Sequence, residues 1–331
     1  MVRDNGGVPQ EYPIVLRGFP GTVTRVDDVV YSAPGGRPLL ADLYLPVEAA
    51  RPVPVIIFLH AGGWRGGDRR FGPDLGRFYT ERGFAMVSVE YRLSGEAVFP
   101  AAVHDVKAAI RWVRSAAEVY GFDPARIGLW GLSAGGHLAA LAALSGPGDF
   151  VGPDDAHRGY ASDVRAVVSA YGPVDFGQMD SQRESVQGPF QDSAAYQRPT
   201  GKLAAHPDSY ESRFLGSSIG DVPELVRRAN PAAYIKGPGA PPMLLAHGLE
   251  DTAVPPGQSE LLFDALGVSG NNVTLCLIED LGHGFMNRND FDQGIFRRVK
   301  KYECRDGEAP VITEAPPFTF GTVETFFRRW L

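Results

Sequence analysis

Residues 127–138 place the strongest constraint on what this chain can fold into. An apolar run ends in a Gly-x-Ser-x-Gly pattern centred on Ser133, and an Ala/Leu-rich helical pattern follows at once. This order predicts a strand, a sharp turn and a helix, with the serine hydroxyl pushed into the open at the strand's end. Gly131 and Gly135 suit such a turn because a Cβ at either place would meet the neighbouring strand or helix. The five-residue pattern alone is weak, so its flanking strand and helix carry the prediction.

Strand-like and helix-like patterns alternate along the chain from residue 54 onward. Strands are expected at 21–33, 39–45, 54–59, 85–91, 126–130, 164–171, 242–246 and 273–278. Helices are expected at 73–82, 101–120, 257–266 and 319–331, besides the one after Ser133. Alternation of this kind predicts an α/β fold, a mostly parallel central sheet with helices on both faces. No linker is rich enough to divide the chain, so residues 1–331 are expected to form one domain.

Two stretches interrupt this alternation. Residues 172–240 carry many Gly, Pro, Ser, Gln and aromatic residues between two core strands. Insertions at the carboxyl ends of strands commonly cover active sites, which predicts a cap or lid over Ser133. Residues 286–317 are charged and loop-like, and pairing with a second copy in a homodimer is one interpretation of them.

Composition excludes several classes of function. The formal net charge of the 331 residues is −7 with no Lys/Arg-rich block, which argues against a nucleic-acid partner. No apolar run approaches the roughly 20 residues needed to span a bilayer, so membrane insertion is not expected. The polar first ten residues lack a signal-peptide pattern, which predicts a cytoplasmic protein. Two cysteines, Cys276 and Cys304, make neither a disulfide framework nor a metal site, and no metal or organic cofactor is expected.

A serine hydroxyl becomes a nucleophile only when a base takes its proton and a carboxylate orients that base. His283 follows the last core strand between two glycines, where an imidazole can reach back to Ser133. The other histidines are expected to be structural or exposed: His60, His104, His137, His157, His206 and His247. Asp251 lies just past another strand end and is preferred as the carboxylate over Glu250, Asp280 and Asp175. The chain order is then serine, aspartate, histidine.

The oxyanion formed by serine attack needs hydrogen-bond donors placed in advance. The N–H of Ala134 begins the helix after the serine and supplies one donor. A second Gly-rich loop, residues 60–64, ends the strand at 54–59 and is expected to supply Gly62 and Gly63. Trp64, Tyr171 and Phe214 are predicted to contact substrate. Further aromatic candidates for the pocket are Phe176, Phe190, Tyr196 and Tyr210.

Together these motifs resemble the α/β-hydrolase esterases, from about residue 40 to 285 outside the cap. The similar stretches are His60-Ala61-Gly62-Gly63-Trp64, Glu90-Tyr91-Arg92-Leu93, Phe99-Pro100-Ala101-Ala102-Val103-His104-Asp105 and Gly131-Leu132-Ser133-Ala134-Gly135-Gly136. The nearest groups are the hormone-sensitive-lipase-like carboxylesterases and their bacterial feruloyl-esterase and kynurenine-formamidase-like relatives. Leu132 stands where the first group usually has an acidic residue, and Ala61 where it has glycine. Both departures favour the feruloyl-esterase-like branch. The resemblance implies an α/β-hydrolase fold, with Arg92 and Asp105 as scaffold residues.

The sequence therefore predicts a serine carboxylesterase that hydrolyses a small-molecule ester, short-chain or aryl/feruloyl-type, through an acyl-enzyme. An amide hydrolase of the kynurenine-formamidase or aminopeptidase type remains an alternative, because amides need the same three residues. A non-catalytic binding protein on this fold would usually have lost one of them, and none is missing.

Overall fold

The computed structural model describes residues 16–18, 22–184, 203–291, 293 and 296–331. The strands are β1 Leu16–Gly18, β2 Val23–Ser32, β3 Leu39–Pro46, β4 Val53–Leu59, β5 Ala85–Val89, β6 Phe122–Leu132, β7 Ala166–Ala170, β8 Met243–Gly248, β9 Val273–Ile278, β10 Val299–Cys304 and β11 Val311–Ala315. The α-helices are α1 Leu75–Phe78, α2 Ala101–Ser115, α3 Ala117–Tyr120, α4 Ala134–Leu144, α5 Met179–Arg183, α6 Tyr210–Leu215, α7 Pro223–Ala229, α8 Gly257–Val268 and α9 Phe320–Trp330. Short 3₁₀ helices lie at Pro34–Gly36, Thr80–Arg82, Ile219–Asp221, Pro231–Tyr234 and Phe285–Asn287.

All the strands belong to one sheet in the order β1-β2-β3-β5-β4-β6-β7-β8-β9-β10-β11. The centre, from β5 through β4, β6, β7 and β8 to β9, is parallel, and the strands outside it pair antiparallel. The predicted mostly parallel sheet is confirmed. Because the carboxyl ends of parallel strands meet at one edge, the loops after β4, β6, β8 and β9 converge there.

Strand β4 shows why its sequence is a continuous apolar run. Val55, Ile57 and Leu59 belong to one buried cluster, which includes side chains of α2, α4 and α8. Ile56 and Phe58 belong to a second cluster on the opposite face, with side chains of α1 and α9. A strand covered by helices on both sides has no polar face, so no alternation is visible in its sequence.

The structure corrects two expectations about these elements. The helix expected at 101–120 is two helices, α2 and α3, separated at Ala116. The expectation that residues 286–317 are only loop is wrong, since they contain β10 and β11, an antiparallel pair in which Lys300 faces Glu314. Four of the five residues of β11 are exposed, so this strand lacks the half-buried alternation by which strands are recognised. Charged residues in such a pair are typical of sheet edges.

The segment between β7 and β8 corresponds to the predicted cap, residues 172–240. Its described parts hold α5, α6 and α7, while residues 185–202, with Phe190 and Tyr196, lie outside the described residues. Arg183 on α5 donates hydrogen bonds to the carbonyls of Thr252 and Ala253, at 2.8 and 3.3 Å. The segment therefore contacts the loop that carries Asp251, and its role as a lid stays a prediction. In the described ranges, no helix is both long and apolar enough to cross a bilayer.

Candidate active site

Ser133 occupies a strained turn between β6 and α4. Its backbone has φ 54° and ψ −118°, in a region that residues other than glycine rarely adopt. A Cβ on Gly131 would lie 2.0 Å from the carbonyl oxygen of Gly135, and one on Gly135 would lie 2.2 Å from that of Leu59. Both glycines are therefore required by close backbone contacts. The turn is held from the side by a 2.9 Å hydrogen bond from the N–H of Ser133 to the carbonyl of Ala170.

The structure brings the three predicted side chains into one hydrogen-bonded chain. Oγ of Ser133 lies 2.8 Å from Nε2 of His283. Nδ1 of His283 lies 2.6 Å from Oδ2 of Asp251. A carboxylate only accepts, so Nδ1 carries the proton and Nε2 is free to take one from the serine hydroxyl.

Asp251 is a fully buried carboxylate whose oxygens are all engaged. Oδ1 accepts the N–H groups of Ala253 and Val254, both at 2.9 Å. Burial acts to raise the pKa of Asp251, but the charge of protonated His283 and hydrogen bonds from His247 and His283 outweigh it. The pKa of Asp251 therefore lies well below its usual range, and the group is an anion at neutral pH.

The loops that carry Asp251 and His283 are joined through their backbones. The N–H of Glu250 donates to the carbonyl of Leu281 at 3.0 Å. A Cβ on Gly248 would lie 2.2 Å from that same carbonyl oxygen, so only glycine permits the contact. These contacts hold the two loops side by side. They bring Asp251 and His283 within hydrogen-bonding distance of each other.

The predicted oxyanion donors come from two elements, the start of α4 and the loop after β4. Ala134 is the first residue of α4, where an N–H has no partner inside the helix. Gly62 and Gly63 follow β4 with φ values of 137° and 58°, and within the described ranges their N–H groups donate no hydrogen bond. Their arrangement suits an anion bound at a helix N-terminus and a glycine loop.

His60 is structural and braces the loop that it begins. Its Nδ1 lies 2.7 Å from the carbonyl oxygen of Ala61, and its ring stacks on Tyr91 with 4.3 Å between centroids. Burial lowers the pKa of His60 to about 4, and the hydrogen bond to Ala61 offsets only part of that effect. The imidazole is therefore neutral at pH 7, and Nδ1 donates to the carbonyl.

The predicted substrate-binding side chains are buried in the structure. Trp64 and Phe214 are each 2% exposed and belong to an aromatic cluster with His137 and Phe176. Tyr171 is 0% exposed and packs edge-on against His283, with 5.0 Å between ring centroids. Trp64 and Phe214 pack together at the end of the loop at 60–64, and Tyr171 packs against the imidazole. Their contact with a substrate stays a prediction.

Other residues considered from the sequence lie away from the hydrogen-bonded chain. The carboxylate of Asp175 accepts from Gly177 and Gln178. Arg92 and Asp105 form a two-pronged ion pair at 2.7 Å, in keeping with a scaffold role. His137 donates to the carbonyl of Ala229 at 2.7 Å.

Sequence reasoning missed the contact that His247 makes. His247 was expected to be structural or exposed, but its Nε2 lies 3.3 Å from Oδ2 of Asp251. The spacing of four residues between His247 and Asp251 was visible in the sequence. A turn between them, which brings the two side chains together, was not.

The fold and this arrangement define an α/β hydrolase with a serine–histidine–aspartate site. Among the residues that the structure describes, no group of three or more His, Cys, Asp or Glu side chains is placed to hold a metal ion. Comparison with known proteins places the chain more narrowly. The BD-FAE family model matches residues 41–266, and the chain belongs to this family of α/β-hydrolase esterases.

Named relatives and solved structures agree with this family. Esterase LipQ of Mycobacterium tuberculosis is 34% identical over 249 residues, covering 74% of this chain and 53% of LipQ. Esterase LipC of the same organism is 31% identical over 237 residues, covering 71% and 54%. The chain thus spans about half the length of these curated relatives. A carbohydrate esterase from gut microbiota, solved in truncated form, has a TM-score of 0.69 and 28% identity, covering 82% of this chain and 92% of that one.

Proposed function

We propose that this chain is a serine carboxylesterase that hydrolyses carboxylic esters through an acyl-enzyme on Ser133. The observation that carries the proposal is the continuous hydrogen-bonded chain from Ser133 through His283 to Asp251, at 2.8 and 2.6 Å. The esterase names of LipQ and LipC and of the gut-microbiota structure support it.

Acylation begins when Oγ of Ser133 attacks the ester carbonyl carbon. The hydroxyl proton passes to Nε2 of His283, and the imidazolium so formed is stabilised by Asp251. The carbonyl oxygen becomes an oxyanion that accepts hydrogen bonds from Ala134, Gly62 and Gly63. The bond from carbon to the alcohol oxygen then breaks, and His283 gives its proton to the departing alcohol.

Deacylation repeats these steps with water as the nucleophile. His283 takes a proton from water as the water oxygen attacks the acyl carbon. The bond between that carbon and Oγ breaks, and the proton returns from His283 to Ser133. The products are one carboxylic acid and one alcohol, and the enzyme is regenerated.

Two groups of relatives suggest the substrate class. A Thermogutta terrifontis esterase, Est2, has been solved with propionate and with butyrate, at TM-scores of 0.60 and 0.58 and 25% identity to this chain. It supports short acyl groups, membership of the BD-FAE family supports a feruloyl-type aryl acyl group, and the carbohydrate-esterase neighbour supports a sugar hydroxyl as the alcohol part of the ester. We infer a short-chain or feruloyl-type ester as the substrate.

The test compares wild type and Ser133→Ala on p-nitrophenyl esters from acetate to laurate, a feruloyl ester and an aryl amide. We expect wild-type turnover to be highest on the short esters and to fall in the variant on the order of 10⁴–10⁶-fold. Full activity in Ser133→Ala would refute the assignment of the nucleophile. A wild type that is inert on every ester but cleaves the amide would make the chain an amide hydrolase.

A further inference from the structure

Asp251 lies between two serine–histidine pairs. On one side are His283 and Ser133. On the other side, Nε2 of His247 lies 3.3 Å from the same carboxylate oxygen, Oδ2, and Nδ1 of His247 lies 2.7 Å from Oγ of Ser259. His247 is 0% exposed and Ser259 is 3% exposed. This second pair is out of reach of a substrate, so it can act only through Asp251.

The partners of His247 determine where its proton lies. Nε2 is 2.8 Å from the carbonyl oxygen of Val254 as well as 3.3 Å from Asp251. A carbonyl and a carboxylate only accept, so Nε2 must carry a proton that they share. In the neutral imidazole Nδ1 then accepts, and the hydroxyl of Ser259 donates to it. Ser259 therefore selects the tautomer that presents an N–H to Asp251.

We propose that His247 and Ser259 are positioning residues that give the far side of the Asp251 carboxylate a neutral hydrogen bond. The inference rests on the proposed function and deepens it. A lysine or arginine at this place would cancel the negative charge that His283 needs. A neutral N–H leaves that charge in place, aims Oδ2 at His283, and limits how tightly the carboxylate holds the imidazolium.

The charge on Asp251 is set mainly by its neighbouring histidines. The ionisable groups that act most strongly on Asp251 are His283 and His247 themselves. His283 is packed edge-on by Tyr171, a fully buried ring. A change at His247 should therefore be read out at His283 through Asp251.

The experiment is an NMR pH titration of ¹⁵N-histidine-labelled protein, following the ring resonances of His283. It compares wild type with His247→Phe, which removes the N–H, His247→Gln, which keeps one, and Ser259→Ala. Ser145→Ala is the matched control, since Ser145 is a buried serine whose hydroxyl donates at 2.6 Å to Leu141, at the end of α4.

In His247→Phe we expect the midpoint of the His283 transition to rise by roughly half a pH unit, because a carboxylate with fewer donors binds the imidazolium more tightly. His247→Gln should restore the wild-type midpoint, Ser259→Ala should shift it less in the same direction, and Ser145→Ala should not shift it. The acid limb of kcat/KM should move in parallel with KM unchanged, since His247 touches no substrate.

A midpoint that is unchanged or falls in folded His247→Phe would overturn the proposal, and so would an equal shift in His247→Gln. If His247 had only a structural role, the midpoint of the His283 transition would fall in His247→Phe, because a displaced Asp251 would hold the imidazolium less tightly. If His247→Phe does not fold, Ser259→Ala carries the test. The titration needs no substrate, so an inert wild type would refute ester hydrolysis and leave this inference to be decided by the spectra.

Discussion

The indole of Trp64 stacks on the ring of Phe214, with 4.6 Å between the ring centroids and 22° between their planes. Trp64 directly follows the two glycines proposed as oxyanion donors, whereas Phe214 belongs to α6, about 150 residues later in the chain. On the same helix, the ring of Tyr210 lies so close to Gly63 that a Cβ there would be 2.7 Å from it. Helix α6 therefore packs against the loop at 60–64, which carries the proposed oxyanion donors, and we expect it to help position them.

This packing predicts a loss of rate when the stacked ring is replaced. Phe214→Leu should lower kcat on the order of tenfold, because a small misplacement of positioned donors is costly. Phe122→Leu is the matched control: Phe122 is equally buried but lies at the opposite end of β6 from Ser133. The measurement is kcat on a p-nitrophenyl ester beside the melting temperature. Equal kcat losses in the two variants would contradict a specific role for Phe214.

Replacing the carboxylate tests the orientation of the imidazole. Asp251→Asn should lower kcat on the order of 10⁴-fold, because an amide N–H facing Nδ1 favours the wrong tautomer of His283. Glu250→Gln is the control, since the neighbouring carboxylate was a rival candidate and the contact of Glu250 with the histidine loop is made by its backbone N–H, which the substitution keeps. The measurement is the steady-state kcat of both variants. A comparable loss in Glu250→Gln would make Glu250 the orienting carboxylate.

The close backbone contacts in the turn at Ser133 between β6 and α4, called the elbow below, predict a large effect from a single methyl group. Gly131→Ala would place a Cβ 2.0 Å from the carbonyl oxygen of Gly135, so the strand or the helix must move. We expect the free energy of unfolding to fall by about 3 kcal/mol, the upper end of the usual range for overpacked core positions, because the clash is with backbone. Gly148→Ala is the control because its Cβ would meet nothing within 4 Å. Urea denaturation of both variants measures the difference, and similar midpoints would show that the elbow yields without cost.

A partly buried ion network surrounds Arg69, five residues after the loop at 60–64. Arg69 bonds Asp42 at 2.7 Å and also contacts Asp28 and Glu90, and Asp42 is 0% exposed. Asp42→Asn should lower the free energy of unfolding by about 3 kcal/mol, because it leaves the arginine without its buried anion. The exposed pair of Arg288 and Asp290 is the control, and Asp290→Asn should leave stability unchanged. Chemical denaturation measures the free energy of unfolding of both variants. An Asp42→Asn variant that is as stable as wild type would show that solvent replaces the anion.

Stability should fall on mild acidification, because His137 is buried in its neutral form. Burial lowers the pKa of His137 to about 4, and its hydrogen bond to Ala229 offsets only part of this. Between pH 6.5 and 4 the unfolded chain binds a proton that the folded chain excludes, so the free energy of unfolding drops as pH falls through this window. His137→Gln should reduce that slope by about 1.4 kcal/mol per pH unit. Denaturation midpoints at several pH values measure it, and parallel slopes for variant and wild type would contradict the assignment.

Much of the site could be predicted because its residues lie at strand ends. The turn at Ser133 is local in sequence, and Asp251 and His283 each follow a core strand of the same parallel sheet. The carboxyl ends of parallel strands lie at one edge of the sheet. Residues that directly follow such strands are therefore expected to meet there, however far apart they are in the sequence. The direction in which a side chain points could not be predicted in this way. Trp64, Tyr171 and Phe214 were placed near the serine by sequence, but only packing decides that they point into the interior.

The hairpin of β10 and β11 was missed for a related reason. Its strands carry charged residues and lie at the sheet edge, where burial imposes no apolar alternation. The role of His247 was missed because its partner is contacted across a turn. Hydrophobic patterns with a period of 2 or 3.6 residues indicate which face of a strand or helix is buried. They do not predict a hydrogen bond across a loop.

The backbone contacts of Gly248 and Glu250 with Leu281 make the loops of Asp251 and His283 a single mechanical unit. Ser133 belongs to another unit, the elbow, which is held by β4, β7 and its own glycines. We therefore expect thermal motion of the site to lengthen the contact of His283 with Ser133 more readily than its contact with Asp251. An imidazole that stays on Asp251 keeps the tautomer that the serine needs.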